Sequence, residues 1–447
     1  MEKQEKLFSR KDLFLLFIPL IIEKALEFLV GIVDSMTASL IGESAISGIS
    51  LVDSIMTLLI SLFAALATGG SVVAGQYLGN KNEKQANKIA NQLVWFVGII
   101  SIVLMAVVYL IKPVFLNGLF GEISDAVRLE ANIYFMIVTA SIPFIALYNC
   151  GAAIFRTMGD SKIPMKIMLL MNGLNALGDI VLVKYFQLGT VGIALPTLLT
   201  RIVSAVWVLL LLTKEKYNLK LIKSWKHHFD YQAIQKICSI GVPYGLENGL
   251  FFFGRLLVMS LVSTFGTASI SANSVGFHLS NIHLLPGLAM NLGFTVIVAK
   301  CIGAGDYEQT EYYINKVTKI IYVALFVTCG SVCLLLSPIL NVYHLSSEAM
   351  QMVKIINYSH VLMTIIVWPL GFALPTALRA TGDAKFPMYV NILSMFVCRI
   401  GLAYIFAYLG FGMLGTWFAM FVDWIIKAIV FSVRYKKGLW KKYSIID

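Results

Sequence analysis

Charge is what this chain has least of. Only 13% of its 447 residues are Asp, Glu, Lys or Arg, against 58% hydrophobic, whereas a water-soluble domain carries about 25% charged residues. That shortage excludes a soluble globular class. Six cysteines, Cys150, Cys238, Cys301, Cys329, Cys333 and Cys398, lack ligand spacing and read as small apolar fillers. Six histidines, His227, His228, His278, His283, His344 and His360, form no H-E-x-x-H pair, and no G-x-S-x-G is present. The segment "GQYLGNK" lacks the spacing of a Walker A loop. Neither catalysis, nor ATP drive, nor a resident cofactor is expected. A cleavable leader is not expected either, because the charged "MEKQEKLFSRKD" runs directly into a full-length apolar stretch.

In place of charge there are apolar runs of about 20 residues, the length an α-helix needs to cross about 30 Å of hydrocarbon. Twelve are expected, over 13–36, 46–70, 92–112, 131–154, 163–184, 190–212, 236–262, 270–298, 317–338, 353–377, 386–408 and 412–433. They lack the alternation of a membrane β-barrel. The fold class is therefore an all-α polytopic membrane protein. Basic residues gather at both termini and after even-numbered spans: Lys3, Lys6, Arg10 and Lys11; Lys81, Lys84 and Lys88; Lys214 to Lys226; and the tail from Arg434 to Lys442. The opposite loops hold only Lys112, Arg128, Lys184 and Lys354. Cytoplasmic loops carry the excess of Lys and Arg, so both termini are expected in the cytoplasm, with the protein in the plasma membrane. Topology and anionic lipid account for the net charge of +11 without a nucleic-acid partner.

The chain also repeats itself. "FRTMGDSKIPM" (Phe155 to Met165) returns as "LRATGDAKFPM" (Leu378 to Met388), Gly159 and Gly382 standing 223 residues apart. At an offset of 224, Pro19 and Glu23 fall on Pro243 and Glu247, Gly42 on Gly266, and Gly79 on Gly303. Two six-span lobes are expected, over 1–212 and 236–447, joined by a basic cytoplasmic linker over 213–235. An even number of spans makes the repeats parallel, two bundles able to rock around a central cavity. The repeated phrase reads as a turn: Gly for its geometry, Lys at the headgroups, and Pro opening the next helix.

Ionisable residues within spans are functional candidates by default, at a cost of about 2.5 kcal/mol or more each. Glu23, Glu27 and Asp34 lie within about 40° of one stripe of the first span, at 100° per residue. Asn172, Asn175 and Asp179 stand at i, i+3 and i+7 on the fifth, and Asp53, Thr197, Thr200 and Arg201 lie nearby in sequence. Asn172 can equally be helix-to-helix glue, and Glu23 and Glu247 can share a packing role. Arg201 reads as compensation for a buried acid. Asp34, Asn175 and Asp179 offer two carboxylates and an amide oxygen, suited to Na⁺ or to a held proton. The second half is balanced, Glu247 and Asp423 facing Arg255, Arg399 and Lys427. Asp423 and Lys427 read as an i, i+4 pair, while Arg255 and Arg399 are expected to neutralise Glu247 and Asp423 in some combination. The positions matching Asp34, Asn175 and Asp179 are Val258, Cys398 and Leu402, so the acidic site belongs to the first half.

With "IVDSMTASLIG", "GQYLGNKN", "RTMGDSKIPM…NGLNALGDIVL", "GIALPTLLTR" and "LRATGDAKFPM", the chain resembles multidrug and toxic compound extrusion (MATE) transporters over its full length. The resemblance implies a monomeric antiporter exporting cationic amphiphiles in exchange for Na⁺ or H⁺. It implies a cation site at Asp34, Asn175, Asp179 and Thr197, with Glu23, Glu27, Asn172 and Glu247 as secondary candidates. Pro19 matches the proline where the family's first helix bends. Two departures stand out: Pro196 precedes Thr197 where the family usually has a small residue, and Glu247 lies one turn before the acid used in some second lobes. The competing reading within the superfamily is a lipid or lipid-linked oligosaccharide flippase, which would need several cavity arginines and often further spans. A membrane-embedded enzyme is the third, and the missing motifs count against it.

Overall fold

The computed structural model describes residues 6–116, 123–222, 228–343 and 345–446. Lys3, Lys223, Lys226, His227 and His344 lie outside them. The described residues are helical throughout: α1 (Arg10–Ser39), α2 (Glu43–Gly79), α3 (Glu83–Leu110), the single turn α4 (Lys112–Val114), α5 (Asp125–Thr139), α6 (Ile142–Met158), α7 (Lys162–Ile180) and α8 (Val191–Leu212). Then follow α9 (Tyr231–Ser263), α10 (Thr267–Gly303), α11 (Tyr307–Leu334), α12 (Leu336–Val342), α13 (Ser347–Ile366), α14 (Leu374–Thr381), α15 (Lys385–Ser394), α16 (Leu402–Tyr408) and α17 (Gly412–Lys436). Wider π-helical turns extend α7 over Val181–Tyr185, precede α14 over Pro369–Ala373 and join α15 to α16 over Met395–Gly401.

Nine of these helical stretches are long and apolar enough to cross a membrane. Two spans are bent pairs, α5 with α6 at 48° and α13 with α14 at 60°. The remaining expected span is α1, 30 residues long, whose Glu23, Lys24, Glu27 and Asp34 dilute its apolar character. Twelve spans result, matching the twelve runs. Proline explains both bends: Pro143 lies in the first turn of α6, and Pro369 opens the π-turn before α14. Pro19 is buried inside α1, which continues through it as one helix.

The chain forms two compact units: Phe8–Gly245, and Leu246 onward together with Lys6 and Leu7. Their boundary falls inside α9. Each unit repeats the other's devices. Asn82 caps α3 by accepting from Gln85 N at 3.1 Å, and Asp306 caps α11 by accepting from Gln309 N at 2.8 Å. Gly159 (φ 96°) and Gly382 (φ 115°) end α6 and α14 in the left-handed region, where a side chain would be strained.

The repeated phrase also carries a buried ion pair. Arg156, near the end of α6, donates to the Glu23 carboxylate on α1, both side chains largely buried. In the second unit Arg379 on α14 donates twice to Glu247 on α9, at 2.9 and 3.1 Å, and Asn391 Nδ2 adds a third bond at 2.8 Å. The expectation for Arg255 and Arg399 is corrected by this geometry. Glu247 is held by Arg379, and Asp423 is held by Lys427 at 2.9 Å and by the Ser394 hydroxyl. Lys427 stands one turn along the same helix as Asp423, while Arg379 arrives at Glu247 by the repeat that brings Arg156 to Glu23, so both acids are satisfied before a distant arginine can compete. Removing one partner of such a pair costs about 3–5 kcal/mol, because a charge stays buried alone. Arg156→Ala and Arg379→Ala should each lower the melting temperature and folded yield in detergent. The double replacements Glu23→Leu with Arg156→Met, and Glu247→Leu with Arg379→Met, should recover most of the loss. Equal melting of the single and double variants would show that the pairs do not hold the fold.

Candidate functional site

The site is assembled in the first unit by α1, α7 and α8. α1 packs along α7 and α7 along α8, and the second contact depends on Gly178. A Cβ there would come within 2.8 Å of Pro196 Cβ. The proline that departs from the family pattern thus packs against a glycine on the facing helix, and Thr197, the residue after it, reaches Asn175.

The i, i+3, i+7 face of α7 is real: Asn172, Asn175 and Asp179 are all buried. Asp34 comes from α1 and stands within electrostatic and hydrogen-bonding range of Asp179. Thr197 Oγ1 donates to Ile193 O at 3.0 Å and stands 3.2 Å from the Asn175 amide. Two orientations of that amide satisfy different partners. With its nitrogen toward Asp34 Oδ1 (3.3 Å), its oxygen accepts from Thr197 N at 3.3 Å and, when the hydroxyl turns away from Ile193 O, from Thr197 Oγ1 at 3.2 Å. In the other orientation the nitrogen donates to Thr197 Oγ1 at 3.2 Å and approaches Asp179 Oδ1 at 3.5 Å, and the amide oxygen faces Asp34. Oxygens from three side chains then converge, an arrangement that only a cation or a proton makes favourable. Asp179 Oδ2 and Asn172 Nδ2 are buried without a hydrogen-bond partner.

Among the described residues of this unit, the ion pairs include neither Asp34 nor Asp179. The structure therefore divides the acidic stripe of α1 three ways. Glu23 goes to Arg156, Glu27 pairs with Lys24 at 2.5 Å on an exposed face, and Asp34 alone enters the site. Asp53 accepts from Tyr134 OH at 3.0 Å, while Arg201 donates to Ser141 Oγ at 2.7 Å and stays within electrostatic range of Asp53 and Asp34. Glu247 lies in the other unit, bound to Arg379. Sequence reasoning placed Arg156 and Arg379 in loops. The signal that finds them is the joint recurrence of Glu and Arg at the repeat distance. The contact of His283 with His360, Nδ1 to Nδ1 at 3.0 Å in the second unit, has no sequence signal.

Two six-span repeats, the first carrying an oxygen-lined site whose Asp34 and Asp179 make no ion pair among the described residues, define a polytopic helical membrane protein. The family model MatE matches residues 19–181 and again 243–405, so the chain belongs to the MatE family. The two matches start at Pro19 and Pro243, at the repeat distance. The chain is 26% identical to the uncharacterized transporter YisQ of Bacillus subtilis, covering 98% of this chain and 95% of that one. It is 22% identical to the probable multidrug resistance protein NorM of Thermotoga maritima (99% and 96% covered) and to the multidrug export protein MepA of Staphylococcus aureus (84% and 82%). In fold it is similar to a crystal structure of MATE in the bent conformation, at TM-score 0.88, 20% identity and 97% and 96% coverage. An outward-facing multidrug resistance MATE transporter of the MOP superfamily matches with the same values.

Two carboxylates in contact repel when both are ionised, and neutralising one relieves the repulsion. Asp34→Asn should therefore raise the melting temperature of protein purified without Na⁺ at alkaline pH, by about 1–2 kcal/mol of stability, as expected of functional sites that hold unfavourable charge. Differential scanning fluorimetry reads the change. A fall in stability would mean that the carboxylates are not in conflict.

Proposed function

We propose that this protein is a secondary active antiporter that exports amphiphilic drugs or toxic compounds in exchange for Na⁺ or H⁺. Asp34, Asn175, Asp179 and Thr197 are its coupling site, both termini are cytoplasmic, and the functional unit is a monomer. One observation carries the reading: Asp34 and Asp179 face each other in the spans with no ion-pair partner among the described residues, beside an amide that can present either end. The relatives named for multidrug resistance and export support the cargo class.

A bound Na⁺ would take oxygens from Asp34, Asn175, Asp179 and Thr197, a hard-oxygen set suited to it; a bound proton would bridge the two carboxyls. Either removes net negative charge from the first lobe. A positively charged cargo is favoured by the same carboxylates when they are bare, so coupling cation and cargo compete for one charge, and the exchange is obligatory. Reversing a 1:99 population of facing states takes about 5.5 kcal/mol of differential binding, within reach of neutralising a carboxylate pair.

Ethidium efflux from proteoliposomes, with Na⁺ and pH gradients imposed separately, tests the reading. Asp34→Asn and Asp179→Asn should each reduce gradient-driven efflux to background while folded yield stays near wild type, since Asn keeps volume and hydrogen bonding. Val258→Ala, at the matching position of the second repeat, should change the rate less than about twofold. Wild-type pumping by both Asn variants, with and without Na⁺ through neutral pH, would place the coupling site elsewhere.

A further inference from the structure

The second unit holds charge of the opposite sign where the first holds its acids. Its two span-embedded acids, Glu247 and Asp423, are engaged by Arg379 and Lys427. Arg255 on α9 and Arg399 between α15 and α16 have no carboxylate in ion-pair contact among the described residues. Each guanidinium lies over a ring instead: Arg255 at 4.0 Å from the centroid of Phe277, and Arg399 at 5.0 Å from that of Phe251. Arg399 Nη2 also contacts Met420 Sδ at 3.3 Å, and Arg399 feels both Asp423 and Arg255 electrostatically. The helices that carry the two arginines pack tightly, since a Cβ at Gly254 would sit 3.3 Å from Ile400 Cδ1. The repeat gives these positions meaning. Arg255 corresponds to Gly31 and Arg399 to Ala176, both small, whereas Asp34 and Asp179 correspond to Val258 and Leu402. On the same two helices of each lobe, within one turn of the same level, acids are replaced by apolar residues and small residues by arginines.

We propose that Arg255 and Arg399 form an anion subsite in the second lobe that takes the carboxylate or phosphate of an amphiphilic cargo. Two arginines at membrane depth without a carboxylate each cost about 2.5–3.5 kcal/mol. Stacking on Phe277 and Phe251 offsets part of that. It also holds each guanidinium over a ring, and a guanidinium's planar fork of N–H donors suits an oxyanion. The cargo class is thereby extended from simple cations to cationic amphiphiles that also carry an anionic group. This rests on the export reading but not on the coupling site.

The test measures fluorescence-polarisation binding, to the purified full-length protein in detergent, of a rhodamine dye with a free carboxylate and of the same dye as its methyl ester. The wild type should bind the carboxylate form about tenfold more tightly. Arg255→Gln and Arg399→Gln should each remove most of that preference, the double variant all of it, and Arg255→Lys should keep part. Ester binding should stay within about twofold throughout, and equal melting temperatures would show that the variants are folded. Ester binding without any carboxylate preference in the wild type, or a preference that survives in the double variant, overturns the subsite and leaves the export reading standing. Binding of neither dye overturns both. A preference abolished by phosphatidylglycerol but not by phosphatidylcholine in mixed micelles would assign the anion to a lipid phosphate and overturn the cargo assignment.

Discussion

The interaction on which each lobe depends is a carboxylate on its first span bound to a guanidinium at the end of its fourth. Glu23 with Arg156 and Glu247 with Arg379 are one construction used twice. It answers a physical problem. A helix that holds an acid without an ion pair near one end still needs a fixed seat near the other, and a buried ion pair is intolerant of misregistry because either partner alone is costly. The same phrase that supplies the arginine supplies the left-handed glycine and the proline of the next helix, so the turn, the pair and the entry to the fifth span are set together. In the second lobe Asn391 joins the pair from that fifth span.

This explains what was and was not legible in the sequence. Span number, repeat distance and the polar face of α7 come from patterns that survive in one dimension: apolar length, offset and i, i+3, i+7 spacing. Asp34 and Asp179 were legible because an acid within an apolar run is conspicuous. Arg156 and Arg379 were not. They sit three residues before a glycine turn, where a basic residue also serves at the headgroups, and only packing shows that their side chains turn inward. Angular position on α1 likewise grouped Glu23, Glu27 and Asp34 together. It cannot register that Lys24 captures Glu27 from one turn away, or that two different helices approach α1 at the other two levels. The pairing of Arg255 and Arg399 with acids was misjudged because charge balance counts residues and ignores reach.

Seated by equivalent pairs, the two lobes have been free to diverge beyond them. In the first, the pair and the Lys24 contact satisfy Glu23 and Glu27, and Asp53 takes the Tyr134 hydroxyl within range of Arg201, leaving Asp34 and Asp179 facing one another. In the second, Arg379 and Lys427 satisfy Glu247 and Asp423, leaving Arg255 and Arg399. A repeat that conserves its seat and exchanges its surplus charge can change what it binds without changing how it folds. On the proposed readings, folding and binding residues separate by one criterion, whether a buried charge has an ion-pair partner within its own lobe.

Asn175 is where that separation becomes mechanism. An aspartate in its place would put three acids together, and an apolar residue would leave Thr197 Oγ1 and Asp34 without their shared neighbour. In the proposed coupling site an amide can offer a donor to Asp34 when the carboxylates are bare and an oxygen when a cation lies between them. The hydroxyl's own bond to Ile193 O fixes its position, and Gly178 against Pro196 fixes the spacing of the two helices. On the proposed coupling reading, turning this amide would exchange a donor to Asp34 for an oxygen ligand with no helix displaced.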